Sequence, residues 1–276
     1  MGDVPRDVAR TSVDPDHVLD VAATFGRDAR LVVEIGSGQG EAVVAAAERE
    51  PGTDFLAVEV YAPGLAQTVL RASQRDLTNV RLVQANAAEV LATTLPAGSV
   101  DELWVFFPDP WHKSRHHKRR LVTPSFAALA ERVLRAPGEG DDGRPGGTLR
   151  LATDWAEYAE QMLEVLDAAP GLRNVHGPGN AAPRFEGRVL TGFERKGEAA
   201  GRVITDLEYV RVGPAARPRG APRRRGRGAG GRGAAGRRGA RWPGAAPRRP
   251  LVLCPSARRR LRGAVSALCG GRGELG

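Results

Sequence analysis

From Leu31 onward, short, mainly apolar runs alternate with stretches whose apolar residues return every three or four positions. Runs of the first kind are Leu31-Val32-Val33-Glu34-Ile35, Phe55 to Val60, Val80 to Gln84, Val100 to Phe107 and Thr148 to Thr153. Such runs suit strands covered on both faces. Between them, Glu41 to Glu50 predicts an Ala-rich helix stopped by Pro51-Gly52, Pro63 to Asp76 a second, and Val90-Leu91 a short third. Thr123-Pro124 supplies an N-cap and an N1 proline, after which Phe126, Leu129, Ala130, Val133 and Leu134 recur at helical spacing. Asp154 is expected to cap a further helix with Trp155, Tyr158, Met162 and Leu166 facing inward. Later strands are predicted at Leu172 to Val175 and Asp206 to Val212.

This alternation predicts an α/β protein with a mostly parallel, seven-stranded sheet and helices on both faces. In such sheets ligands bind outside the carboxyl ends of the strands. Glu34 with its glycines, Glu59, Asn86, Asp109 and Asp154 stand at five successive predicted strand ends, which points to one shared site.

Charge divides the chain. Residues 213–276 hold 17 of its 41 basic residues and one of its 32 acids, leaving 24 bases against 31 acids elsewhere. The body is therefore acidic, and the basic character belongs to the tail. Three segments follow: a polar N-terminal arm with one short helix at 1–29, an α/β domain at 30–212, and an Arg/Gly/Ala/Pro-rich tail at 213–276. The tail has no sustained periodicity and too little apolar surface to offset its ordering entropy. It is expected either to be a disordered RNA-binding arm or to come from a reading-frame error in a GC-rich gene.

Both cysteines, Cys254 and Cys269, lie in that tail, so the body needs no disulfide and suits a reducing cytoplasm. The charged start, Met1 to Arg10, lacks the apolar stretch of a signal peptide. No apolar run approaches the ~18 residues of a membrane span.

Two stretches carry chemistry. Glu34-Ile35-Gly36-Ser37-Gly38-Gln39-Gly40 places three glycines in a strand-to-helix turn, where a ligand can approach the backbone closely. Phe106-Phe107-Pro108-Asp109-Pro110-Trp111-His112-Lys113 ends a strand and runs into Ser114-Arg115-His116-His117-Lys118-Arg119-Arg120. Core packing does not call for an acid, an aromatic and so many bases in one loop. Beside a Gly-rich turn of the kind nucleotide-binding folds share, the cations suit phosphates and Trp111 suits base stacking. Three histidines among so many cations disfavour a metal ion, and no metal is expected.

The glycine turn after an acid resembles the first motif of class I S-adenosylmethionine-dependent methyltransferases. The run from Phe106 to Arg120, with Leu121 and Thr123-Pro124-Ser125-Phe126, resembles the signature of bacterial tRNA (guanine-N7)-methyltransferases. Thr153-Asp154-Trp155 with Tyr158 agrees, as does Thr191-Gly192-Phe193-Glu194-Arg195-Lys196-Gly197 leading to Asp206-Leu207. The resemblance covers residues 30–212.

It implies a Rossmann-like class I fold and S-adenosyl-L-methionine in a pocket lined by Glu34, Gly36, Gly38, Gly40, Glu59, Asn86 and Asp109. It implies that Asp109 is catalytic and that Lys113, Asp154, Thr191, Gly192, Phe193 and Glu194 contact the substrate. Arg115, His116, His117, Lys118, Arg119 and Arg120 would meet the tRNA backbone. The product would be N7-methylguanosine at position 46, in the variable loop. Asn86 replaces the Asp many members carry, and Arg202 stands where the pattern has His. Two alternatives remain: a class I methyltransferase acting on another RNA base, and a non-catalytic RNA-binding protein. Whether the chain is a monomer or a homodimer is open at this level.

Overall fold

The computed structural model describes residues 12–138 and 145–213. The predicted tail and part of the acidic loop at 136–147 lie outside them. Among the described residues, eight strands form one sheet: β1 (Ser12–Val13), β2 (Arg30–Ile35), β3 (Thr53–Val58), β4 (Val80–Val83), β5 (Glu102–Phe106), β6 (Thr148–Thr153), β7 (Leu172–Asn174) and β8 (Thr205–Arg211). Their order is β1-β4-β3-β2-β5-β6-β8-β7. All pairings are parallel except those of β8, which runs antiparallel to β6 and β7. The eighth strand is a correction to the expected seven: the N-terminal arm pairs Ser12 and Val13 with Leu82 and Val83. Two residues carry no readable periodicity, so the edge strand was invisible in the sequence.

The helices are α1 (Val21–Phe25), α2 (Glu41–Arg49), α3 (Ala62–Ser73), α4 (Ala87–Glu89, continued by π-helical Val90–Thr94), α5 (Pro124–Val133), α6 (Ala156–Asp167) and α7 (Gly192–Ala199). The apolar run of β2 serves both faces by simple alternation. Leu31, Val33 and Ile35 join the cluster that holds Phe126 and Ala130 of α5 and Tyr158 and Met162 of α6. Val32 joins the opposite cluster, with Ala42, Val43, Val44, Ala46 and Ala47 of α2 and Leu65 and Val69 of α3. Thr123 caps α5 as predicted, its hydroxyl accepting the Phe126 N–H at 3.2 Å.

Strand β2 lies between β3 and β5. From β2 the chain winds outward one way through β3 and β4, then returns to start again at β5. The loops leaving β2 and β5 therefore diverge, opening a crevice at their carboxyl ends.

Candidate active site

A cavity of about 610 Å³ occupies that crevice. Gly36, Glu59, Asn86 and Asp109 all line it, so four expected pocket residues meet although 73 residues separate the first from the last. Phe106, Phe107, Trp111 and Arg119 line it as well.

The glycine turn is shaped by its neighbours. Gly38 adopts φ 55° and donates its N–H to Glu59 Oε2 at 2.9 Å. At Gly40, φ 72°, a Cβ would collide with the Thr68 side chain of α3, so the turn needs glycine there on both counts. A Cβ on Gly36 or Gly38 would meet no atom within 4 Å. The turn thus exposes bare backbone to open space at the head of α2, which suits close approach by a ligand.

Glu59 Oε1 accepts the N–H groups of Val60 and Tyr61 at 2.8 and 2.9 Å. Three backbone donors hold the carboxylate, and an ionised carboxylate offers about four acceptor positions. Capacity remains for a hydroxyl from the cavity side. Asn86 caps α4, its Oδ1 accepting the Glu89 N–H at 2.9 Å while its Nδ2 donates to Glu89 Oε2 at 3.2 Å. This acceptor cap explains how Asn serves where Asp is common. Together the bare turn, the strand-end acid and the apolar walls fit the ribose, adenine and amino-acid parts of S-adenosyl-L-methionine.

Glu34 is placed differently from expectation. It is buried beneath the turn, off the cavity wall, and accepts the Val43 N–H at 3.2 Å. It satisfies a donor in the first turn of α2 that Gly40, lacking a side chain, cannot reach. Burial raises its carboxyl to about 8, opposed by the Val43 N–H and reinforced by the charge of Glu59.

Asp109 sits exposed on the cavity wall in a turn bounded by two aromatics of positive φ, Phe107 at 53° and Trp111 at 44°. The cations beyond it form a 3-10 turn, Ser114–Arg119. Lys113, Arg115, Lys118 and Arg119 are exposed, and Arg119 lies over the Trp111 ring at 4.9 Å. Arg120 is a correction: it is buried and cannot meet a phosphate. Its guanidinium donates to Pro110 O at 2.8 Å and Gln161 Oε1 at 2.6 Å, and lies 5.0 Å over the Tyr158 ring. His117 is half-buried beside it, 3.0 Å from Arg120 and 3.4 Å from Glu157. His116 packs edge-on to Trp111.

The remaining substrate candidates lie off the cavity wall. Asp154 does not cap α6; Trp155 holds that position. The Asp154 carboxylate instead takes the Arg202 guanidinium at 2.6 Å, which supplies the role of the arginine that replaces His. Thr191 caps α7, accepting the Glu194 N–H at 3.2 Å. Glu194 is another correction: it is buried between Arg184 and Arg188, so its carboxylate is engaged inside the protein. Phe193 is exposed, its ring 5.2 Å from Phe107. Arg188 and Glu41, both central to this arrangement, were missed in the sequence. Spacing did not reveal their partners: Arg188 pairs with Glu194 six residues on and Asp206 18 residues on, and Glu41 with Gly192 151 residues on. Among the described residues, no group of three or more His, Cys, Asp or Glu could hold a metal ion.

A doubly wound sheet with this crevice, glycine turn and strand-end acid is the frame of a nucleotide-type binding site, and the matches to known proteins make the chain a class I S-adenosylmethionine-dependent methyltransferase. The family model described as "Putative methyltransferase" matches residues 28–207. The tRNA (guanine-N(7)-)-methyltransferase of Arthrobacter sp. (strain FB24) is 49% identical over 257 residues, covering 76% of this chain and 78% of that one. That of Leifsonia xyli subsp. xyli (strain CTCB07) is 51% identical over 192 residues, covering 70% and 81%. The chain belongs to the bacterial tRNA (guanine-N7-)-methyltransferase family. Among solved structures, a 16S rRNA (adenine(1408)-N(1))-methyltransferase from Catenulisporales acidiphilia is 18% identical with a TM-score of 0.48, covering 73% of this chain and 95% of that one.

Proposed function

We propose that the chain methylates N7 of a guanosine in the tRNA variable loop, at position 46, with Asp109 as the catalytic group. Family membership makes it a tRNA (guanine-N7-)-methyltransferase that uses S-adenosyl-L-methionine. The observation that carries the finer reading is the meeting of Asp109, Glu59, Asn86 and the glycine turn in one cavity edged by exposed cations.

When bound, the cosubstrate supplies an electrophilic methyl group on a sulfonium. Guanine N7 has a free lone pair, so no proton must leave before it attacks, and the site needs no general base. Positive charge develops on the guanine ring during transfer. A carboxylate at Asp109 faces that charge from a fixed position and orients the base. Trp111 offers a stacking surface at the same mouth. Lys113, Arg115, Lys118 and Arg119 hold the tRNA backbone, a role that lowers affinity as salt rises. Phe193 supplies an apolar edge to the bound nucleotide. Among the described residues no helix is long and apolar enough to cross a membrane, and a reaction on tRNA belongs in the cytoplasm.

The test is transfer of a labelled methyl group to bulk tRNA, followed by reduction and aniline cleavage at N7-methylguanosine. Cleavage at the variable-loop guanosine is expected. Label incorporated without cleavage, or cleavage elsewhere, overturns the assignment.

A further inference from the structure

Four residues around Asp109 stand in an unusual arrangement. Phe107 and Trp111 both have left-handed backbone torsions, φ 53° and 44°, which bulky L-residues rarely adopt. Such conformations persist where the surroundings over-determine them. Two buried arginines supply that constraint, one from each side. Arg188 is fully buried, with its guanidinium 5.3 Å from the Phe107 ring centre and 5.6 Å from that of Phe106. Both distances lie within the ~6 Å range of cation–π attraction. Arg120 grips the other end of the turn through Pro110 O at 2.8 Å.

Each arginine is anchored away from the cavity. Arg188 pairs with Asp206 of β8 at 2.8 Å and Glu194 of α7 at 2.6 Å. Arg120 is tied to Gln161 and Glu157 of α6. Taking a guanidinium out of water is costly, and a buried ion pair seldom adds net stability over apolar packing. Arg188 even leaves its Nε without a hydrogen-bond partner. Stability alone therefore accounts poorly for these residues, whereas a fixed turn geometry accounts for both.

We infer that Arg188 and Arg120 are positioning residues that clamp the Phe107–Trp111 turn and thereby aim the Asp109 carboxylate. Neither lines the cavity or needs to touch substrate. The inference rests on the methyltransferase reading, in which Asp109 is the group being aimed.

The test is single-turnover methyl transfer to tRNA by Arg188→Lys and Arg120→Lys, with folding checked by thermal melting. Lysine keeps the charge but loses the planar fork. A fall in rate of about 20-fold or more is expected, with S-adenosylhomocysteine and tRNA dissociation constants within threefold of wild type. In an Asp109→Asn background the same substitutions should cost less than about twofold, because the group they aim is already gone. Full additivity with Asp109→Asn, or a wild-type rate in a folded lysine variant, overturns the clamp. Should both lysine variants fail to fold, Phe107→Leu decides, since it leaves every ion pair in place: a near-normal rate sinks the idea and the same slow, tight-binding behaviour supports it. Loss of N7 transfer by the wild-type protein would instead sink the functional reading, so the two failures are separable.

Discussion

The Glu41 carboxylate accepts the Gly192 N–H at 2.7 Å, joining the helix that follows the glycine turn to the first residue of α7, 151 positions away. Glu41 also meets Arg71 of α3 at 3.5 Å. The carboxylate thus occupies the positive end of α7 and satisfies one of its free backbone donors. The glycine turn and the Thr191–Phe193 segment are thereby fixed to one another.

Glu41→Ala should loosen that segment more than the glycine turn. A tRNA KM raised by about 3–10-fold is expected, for a loss of roughly 1 kcal/mol, the scale of one ordinary hydrogen bond, because the Glu41 carboxylate is partly exposed. Glu41→Gln keeps an acceptor and should recover most of it. Steady-state kinetics with each substrate varied in turn would check this; an unchanged tRNA KM in the alanine variant removes the latch.

Asp109→Ala should retain cosubstrate binding and lose turnover by about 10²–10³-fold, the scale of removing one preorganised electrostatic group. Equilibrium dialysis with S-adenosylhomocysteine beside single-turnover transfer separates the two effects. Near-normal kcat would falsify the catalytic role.

Arg119 and Arg120 are neighbours with opposite fates, one exposed over Trp111 and one buried. Arg119→Ala should lower the slope of log Kd against log salt by about 1. Arg120→Ala should leave the slope unchanged while costing about 3 kcal/mol of stability, because it strips the partner from a buried network. A salt titration of tRNA binding and a denaturant melt read the two separately, and a shallower slope for Arg120→Ala contradicts its burial.

Glu34 binds a proton in the folded state up to about pH 8, whereas its ordinary value is 4.5. Between those values the folded chain holds a proton that the unfolded chain has released. Its contribution to stability therefore falls as pH rises through that window. Glu34→Gln, which stays neutral, should flatten the decline between pH 5 and 8. Its advantage over wild type should grow with pH across the window, by up to about tenfold in the folding equilibrium for each pH unit. Urea melts across that range measure it; parallel profiles for the two proteins would show that Glu34 is not the titrating group.

The fold was largely readable from the chain, and so was the convergence of Gly36, Glu59, Asn86 and Asp109 at the strand ends. Strand runs such as Leu31 to Ile35 and the Thr123-Pro124 helix start depend on local chemistry, which one residue and its near neighbours decide. The π-helical continuation at Val90–Thr94 and the early end of β5, where Phe107 turns to positive φ, were not readable. Neither leaves a mark in hydrophobic spacing.

By itself, the sequence determined that an acid, glycines and cations gather at the carboxyl ends of parallel strands, because periodicity and turn residues act over a few positions. Tertiary structure alone decided which charged residues remain available. Arg119 and Arg120 have the same side chain, yet one faces the cavity mouth and the other is enclosed by α6. Glu194 was taken up by Arg188 and Arg184, and Glu41 was given Gly192. Desolvation and pairing depend on which side chains the folded chain brings together, whether six residues apart as in Arg188–Glu194 or 151 apart as in Glu41–Gly192, and local sequence does not encode those meetings.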